Sequence, residues 1–365
     1  MIVREKSNIF RVLSIDGGGM RGLYTAAYLS SLAKHYAVTR GISQLDVGKG
    51  FELIIGTSTG AIVACALAIG LPLDNVAALY RERGPDIFPL KVPEGPGIDL
   101  ARQAFRRPSY LRAGASALEK ALYATFGETT LGDIWRDRNI ALAIPAVEMS
   151  RHHAWVFKTP HLVSTRHRDD GYRLVDVCLA TTAAPVYRSM ARIDNPDTEG
   201  CHVFVDGGLW ANNPVLVGLI EALEMTAPGD RIEIFCLGTC PRPEGELIGS
   251  DGIDRGLGGW QFGGKVVTLS IGAQEFAFDH MARMIARHVD RDCAIVRFPH
   301  GKVPAAMMEY LDLDETSSAG MDALVSQAQT DVYETLSRCG DASDVDGQHL
   351  HAMLNELPPL GGGVG

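Results

Sequence analysis

Two short motifs in this chain hold residues able to do chemistry together: a serine between glycines, Gly56-Thr57-Ser58-Thr59-Gly60, and an aspartate before glycines, Asp206-Gly207-Gly208. The first fits G-x-S-x-G in the context that gives that pattern meaning, with the apolar run Phe51–Ile55 before it and an apolar helix from Ala61 to about Gly70 after it. Flanking glycines allow a strained turn that lifts the hydroxyl clear of the strand, and the helix that follows directs its positive end at the same point. The bland alternative is a glycine-rich helix cap in which Ser58 only bonds backbone. A serine hydroxyl is a poor nucleophile at neutral pH and needs a base within hydrogen-bond reach. Histidine is the usual base, but His152 and His153 sit in a surface-like Arg-His-His run and His202 lies where a strand begins. Asp206 is better placed, because it follows the strand-like Val203–Val205 and precedes two glycines, where a backbone can come close. An Asp-Gly turn capped by its own side chain is the competing explanation.

A third motif, Gly17-Gly18-Gly19-Met20-Arg21-Gly22, permits two opposed readings. Gly17, Gly19 and Gly22 satisfy the dinucleotide-binding spacing G-x-G-x-x-G. The acidic residue that should end the next strand is missing, however, and that strand leads to the serine turn instead. The other reading is a set of bare backbone N–H groups at a helix start, aimed at the negative oxygen of a tetrahedral intermediate.

The elements that must position these motifs follow a repeating order. Phe10–Ile15 reads as a buried strand running into the glycine loop, and a helix follows with Leu29, Leu32, Ala33 and Tyr36 on one face. Strand, sharp turn and helix recur at Phe51–Gly70, which predicts an α/β fold with a mostly parallel sheet covered by helices. Residues 84–130 differ in composition, with prolines at 85, 89, 93, 96 and 108 and arginines at 102, 106, 107 and 112. They are expected to form an inserted cap. Strand signals return at Ile140–Val147 and Arg231–Leu237, and helix signals at Leu174–Ala180, Lys265–His288 and Ser317–Arg338. The chain thus reads as one domain over residues 1–338, with residues 339–365 expected to be a mobile tail.

Composition narrows the function class. A chain of 365 residues with 46% hydrophobic content can bury a large core, and 34 basic against 44 acidic residues give a net charge of −10. That balance repels DNA, RNA and anionic surfaces at long range, so such a partner would need a local basic patch. Seven scattered cysteines fit a reducing, cytoplasmic setting better than a disulfide framework, and the first eight residues do not resemble a secretory signal. Leu53–Leu73 runs without a charge, but the serine turn interrupts it and Pro72 closes it, so buried elements explain it better than a membrane span.

Taken together and in this order, the three motifs resemble the signature of the patatin-like phospholipases. Ala180-Thr181-Thr182-Ala183-Ala184-Pro185-Val186-Tyr187 is similar to the alanine-proline segment that this family carries between its serine and aspartate. The resemblance spans roughly residues 10–238 and implies a three-layer α/β/α fold. It also implies a Ser58–Asp206 dyad without histidine, oxyanion contacts from Gly17, Gly18 and Gly19 with Arg21 as a supporting positive group, and no metal or organic cofactor. Membrane phospholipid, met at the inner face of the membrane, is the implied substrate. Because an ordinary aspartate is a weak base, with a pKa near 3.9, Asp206 is expected to be shielded from water.

The wider pattern, including Ala211-Asn212-Asn213-Pro214, Ile234–Cys240 and Tyr310-Leu311-Asp312-Leu313-Asp314, resembles a bacterial subset of the family. Some members of that subset are phospholipase effectors switched on by cyclic oligonucleotides in anti-phage signalling. Arg102, Arg106, Arg107 and Arg112, in a stretch free of acidic residues, are the candidate contacts for such a nucleotide. A solvated helix face or a headgroup-docking patch would look the same. A transacylase, a non-lipid esterase and a lipid-binding protein that has lost turnover are the rival functions, and a homo-oligomer is compatible with all of them.

Overall fold

In the computed structural model, residues 9–89, 91, 98–240, 248–249, 252–256, 259–260, 263–300 and 303–361 are described, the side chains of 98–106 excepted. In chain order the elements are β1 (Ile9–Ile15), α1 (Gly22–Thr39), β2 (Leu53–Gly56), α2 (Thr59–Ile69), α3 (Leu73–Ile87), α4 (Ile98–Phe126), α5 (Leu131–Arg138), β3 (Ala141–Glu148), β4 (His153–Lys158), α6 (Leu174–Thr181), β5 (Ala191–Asp194), β6 (Cys201–Asp206), α7 (Gly208–Ala211), α8 (Val215–Met225), β7 (Arg231–Leu237), α9 (Gly264–Ala286), β8 (Asp292–Phe298), α10 (Ser318–Gly340) and α11 (Val345–Glu356).

The strands form one sheet in the order β5-β6-β3-β2-β1-β7-β8, with β4 also paired to β3. Pairs β1–β2, β1–β7, β2–β3 and β7–β8 are parallel, while β3–β4, β3–β6 and β5–β6 are antiparallel. The central strands are apolar on both faces, as a sheet covered on both sides requires. Leu13, Ile15 and Ile54 face a core shared with α1, α2, α3 and α6. Their neighbours Val12, Leu53 and Ile55 face a second core built with α8 and Ala282 of α9. The architecture is therefore three-layered, helices on sheet on helices.

One topological detail places the chemistry. On β3, Ala143 pairs with Lys158 of β4 and Ile55 of β2, while Ala146 pairs with Trp155 of β4 and Asp206 of β6. A strand has only two edges, so β2 and β6 lie on the same edge of β3, opposite β4. They run toward each other, β2 parallel and β6 antiparallel, and their carboxyl ends meet head-on. The gap spans three residues of β3, about 10 Å at roughly 3.3 Å per residue, and the serine turn and Asp206 flank it.

Two segments differ from the sequence expectation in instructive ways. The boundary at residue 84 falls inside α3, and α4 sends Leu118, Leu122 and Phe126 into the same core as the sheet. After Cys339 the chain is ordered rather than a mobile tail. Asp344 caps α11 by accepting the Gly347 N–H at 2.8 Å, and Leu350, Met353, Leu354 and Leu357 are buried in the main core. Those four positions follow helical spacing, which the polar residues between them conceal. The first eight residues and the last four lie outside the described residues. Among the described residues no helix is long and apolar enough to cross a membrane.

Candidate active site

At the end of β2 the backbone turns so sharply that Ser58 adopts φ 53° and ψ −125° before α2 begins. Positive φ in a non-glycine residue is strained and persists only where its surroundings enforce it. Here the Ser58 N–H donates to Thr181 Oγ1 at 2.9 Å, and the Thr181 hydroxyl donates to the Pro145 carbonyl at 2.6 Å. Thr57 Oγ1 donates to the Ala211 carbonyl at 2.6 Å, fixing the turn from its other side. Gly60 is required by proximity, since a Cβ there would lie 2.6 Å from the carbonyl oxygens of both Ile15 and Asp16.

The Ser58 hydroxyl donates to Asp206 Oδ2 at 2.7 Å, and the other carboxylate oxygen accepts the Gly208 N–H at 2.7 Å. The alanine-proline segment holds the aspartate in place, because the Asp206 N–H donates to the Ala183 carbonyl at 3.1 Å and that of Gly207 to the Thr181 carbonyl at 3.3 Å. Asp206 is buried, with 5% of its surface exposed. Burial pushes its pKa up to about 6, opposed by the bonds from Gly208 and Ser58 and by the positive charge of Arg188. The carboxylate is thus a stronger base than an ordinary aspartate, yet it is mostly ionised at neutral pH.

The glycine loop after β1 lies beside this pair, and its N–H groups have different fates. Gly17 donates to the Asn212 carbonyl at 2.9 Å and Gly18 to Thr59 Oγ1 at 3.2 Å. Of the three glycines expected to make oxyanion contacts, Gly17 and Gly18 thus have N–H groups engaged within the protein, Gly17 joining the loop to the end of α7. The N–H groups of Gly19 and of Thr59, the residue after the serine, have no protein acceptor among the described residues. Both residues line the cleft. Gly19 sits at φ +59° with the Leu313 carbonyl only 2.3 Å from where a Cβ would be, so glycine is needed there twice over. Arg21 is buried and donates to the carbonyls of Gly18 and Cys240, both at 3.2 Å, which buttresses the loop from behind.

Around these groups is a cleft lined mainly by apolar side chains, including Ile62, Phe88, Leu118, Val267 and Ile271. Among the described residues lining it there is no histidine, and the charged side chains are Asp206 and Arg188. The wall formed by α9 is tied to both motifs. Gln274 accepts the Asn212 N–H at 2.9 Å and donates to the carbonyls of Gly208 and Leu209 at 3.1 Å. Farther along α9, Asp279 accepts from Arg297 at 3.1 Å, and Arg297 pairs with buried Asp16 at 2.7 Å.

Of the four arginines expected to contact a nucleotide, two have described side chains. The side chains of Arg102 and Arg106 lie outside the described residues. Arg107 donates twice to the Val186 carbonyl, at 3.0 and 2.7 Å, while Arg112 is exposed five residues farther along α4. Arg107 serves as a strut holding the alanine-proline segment, where Val186 sits at φ 74°. The two therefore do not converge on one site. Sequence reasoning missed the Thr59 N–H, Thr181, Arg188 and Gln274. The first had a signal in its place directly after a serine in an elbow turn, and Thr181 in its place within the alanine-proline segment; Arg188 and Gln274 had none.

Comparison with known proteins identifies the family. Residues 13–219 match the family described as patatin-like phospholipase. A cGAMP-activated phospholipase of Pseudomonas aeruginosa is 35% identical over 275 residues, 75% of this chain and 74% of the relative. One from Vibrio cholerae is 31% identical over 334 residues, 88% of this chain and 90% of the relative. Patatin-like protein 4 of Arabidopsis thaliana is 29% identical over 220 residues, 58% of this chain and 52% of the relative. The chain belongs to the patatin-like phospholipases and is a hydrolase of that family.

Proposed function

We propose that the protein cleaves acyl ester bonds of membrane phospholipids, with Ser58 as nucleophile and Asp206 as the sole side-chain base. The observation that carries this reading is the 2.7 Å bond from the Ser58 hydroxyl to a buried carboxylate, in a cleft whose described lining has no histidine. As the hydroxyl oxygen attacks the ester carbonyl, its proton passes to Asp206, and the N–H groups of Gly19 and Thr59 receive the negative oxygen. Collapse breaks the ester bond, and Asp206 returns the proton to the departing lysolipid alcohol. Water then attacks the acyl-Ser58 ester, Asp206 takes its proton and gives it to the Ser58 oxygen, and a fatty acid leaves. No metal or organic cofactor enters these steps.

A lipid surface as the place of action is supported by α9. Val267 and Ile271 line the cleft from this helix, while Val266, Leu269 and Phe276 on its outer side are 51%, 61% and 79% exposed. An apolar stripe next to an apolar cleft suits partial insertion into a bilayer. The two relatives named as cGAMP-activated phospholipases extend over most of this chain, which supports control of its activity by a cyclic dinucleotide. The anti-phage role implied by the resemblance depends on that control. The test is hydrolysis of mixed bacterial phospholipids with and without cyclic GMP–AMP, with products identified by mass. Wild type should release fatty acid and lysolipid, most strongly with the nucleotide, and Ser58→Ala should release neither. Full activity in Ser58→Ala would end the dyad reading, and identical rates with and without nucleotide would end the gating.

A further inference from the structure

Arg188 lines the cleft beside the dyad, yet the mechanism above gives it no step. It is only 8% exposed. Among the described residues its side chain makes one hydrogen bond, a long one from Nη2 to the Gly114 carbonyl at 3.4 Å, and its Cζ lies 5.7 Å from the centre of the Phe88 ring. Among the described residues no carboxylate lies within ion-pair distance of it, although Asp206 is near enough for each charge to influence the other. A guanidinium carries five N–H donors, and burying it without an anionic partner is unfavourable. The other buried arginine of the site, Arg21, spends its donors on backbone carbonyls.

The surroundings indicate what the missing partner would be. Backbone bonds anchor the residue, with the Arg188 N–H donating to the Ala184 carbonyl at 2.8 Å and Arg107 gripping the Val186 carbonyl two residues before it. One side of Arg188 faces the apolar cleft. The other borders a more polar groove lined by Glu119, Arg173, Asp176 and Asn195. It therefore stands where apolar walls give way to polar ones, within reach of the space next to Ser58. An amphiphile bound with its acyl chain along Ile62, Phe88 and Leu118 would bring its polar end to that boundary.

We propose that Arg188 binds the phosphodiester of the lipid substrate through charge-assisted hydrogen bonds, and that it makes the enzyme favour phospholipids over neutral acylglycerols. The proposal rests on the Ser58–Asp206 reading. A planar guanidinium suits two phosphate oxygens, whereas a lysine supplies charge without the paired geometry.

The test compares kcat/KM for phosphatidylglycerol and for diacylglycerol of the same acyl chains, in mixed micelles of an uncharged detergent and with cyclic GMP–AMP present. Each rate is read on the plateau of its own pH profile. In Arg188→Met the ratio should fall by on the order of 10- to 100-fold, the size of a lost charge-assisted bond, chiefly through KM. Arg188→Lys should fall between the two. An unchanged ratio in a folded Arg188→Met protein overturns the proposal, and so does a loss confined to the nucleotide concentration needed for activation. A check on wild type needs no variant to fold: a dialkyl phosphate, an anionic diester, should inhibit hydrolysis of a neutral short ester more strongly than the uncharged trialkyl phosphate. Equal inhibition overturns the assignment. Ser58→Ala in the same assays separates the two ideas, since its retained hydrolysis would sink the dyad reading whatever Arg188 does.

Discussion

Replacing Asp206 with Asn should abolish turnover and, at neutral pH, make the protein more stable. Burial raises the Asp206 pKa from an ordinary 3.8 to about 6 in the fold. Between those values the folded chain therefore holds a proton that the unfolded chain has released. The contribution of Asp206 to stability is fully present below about pH 3.8 and is lost as pH rises through about 6. At 1.36 kcal/mol per pH unit, the fold at pH 7 carries about 3 kcal/mol of penalty for keeping this carboxylate ionised. Asn removes the charge and keeps both contacts in altered form: its oxygen still accepts from Gly208, and its amide donates to Ser58 Oγ, whose own O–H turns toward the cleft. With an unfolding entropy of about 2.1 cal/mol/K per residue, a chain of this size should melt ~4 °C higher as the Asn variant. Thermal unfolding followed by circular dichroism from about pH 4 to 8 checks this, with an advantage that grows through about pH 6 and nearly vanishes at the acid end. A less stable Asn variant at pH 7, by a margin independent of pH, would refute the idea that desolvation governs this carboxylate.

Three other outcomes follow from the same geometry. The kcat/KM profile should fall on its acid side with a midpoint near the folded Asp206 value of about 6, and Arg188→Met should move that limb upward, because the arginine charge favours the ionised carboxylate; stopped assays on a neutral ester across pH read both. Gly19→Ala, which forces a Cβ toward the Leu313 carbonyl, should displace an oxyanion donor and lower kcat by about 100-fold or more with little change in KM, as steady-state kinetics on a soluble ester would reveal. Phe276→Ser should weaken sedimentation with lipid vesicles by roughly tenfold, the scale of one lost aromatic anchor, while hydrolysis of a monomeric short ester continues.

How much of this was legible in the sequence depended on how local each signal is. The serine turn, the glycine loop and the Asp-Gly pair are contiguous, and the strands before them are buried on both faces, so their apolar runs stand out. The edges were harder to see. β5 buries a single residue of four and β4 begins with two exposed residues, so neither shows the apolar run of a central strand. That β2 and β6 approach each other along one edge of β3 is a matter of pairing, which no spacing reveals. The partner of Arg107 is likewise invisible in the sequence, being a backbone carbonyl 79 residues away. Arg188 and Gln274 are single residues whose meaning comes from what tertiary structure places beside them. In α11 the alternation of buried and polar side chains hid a helix that its own leucine and methionine spacing supports.

The central claim is that Ser58 attacks while Asp206 takes its proton, and covalent capture tests it most directly. Wild type treated with an alkyl fluorophosphonate and digested for tandem mass spectrometry should carry one phosphonyl group, on Ser58, with labelling much slower in Asp206→Asn and absent in Ser58→Ala. Modification of another residue, or labelling of Ser58→Ala at the wild-type rate, would contradict the account.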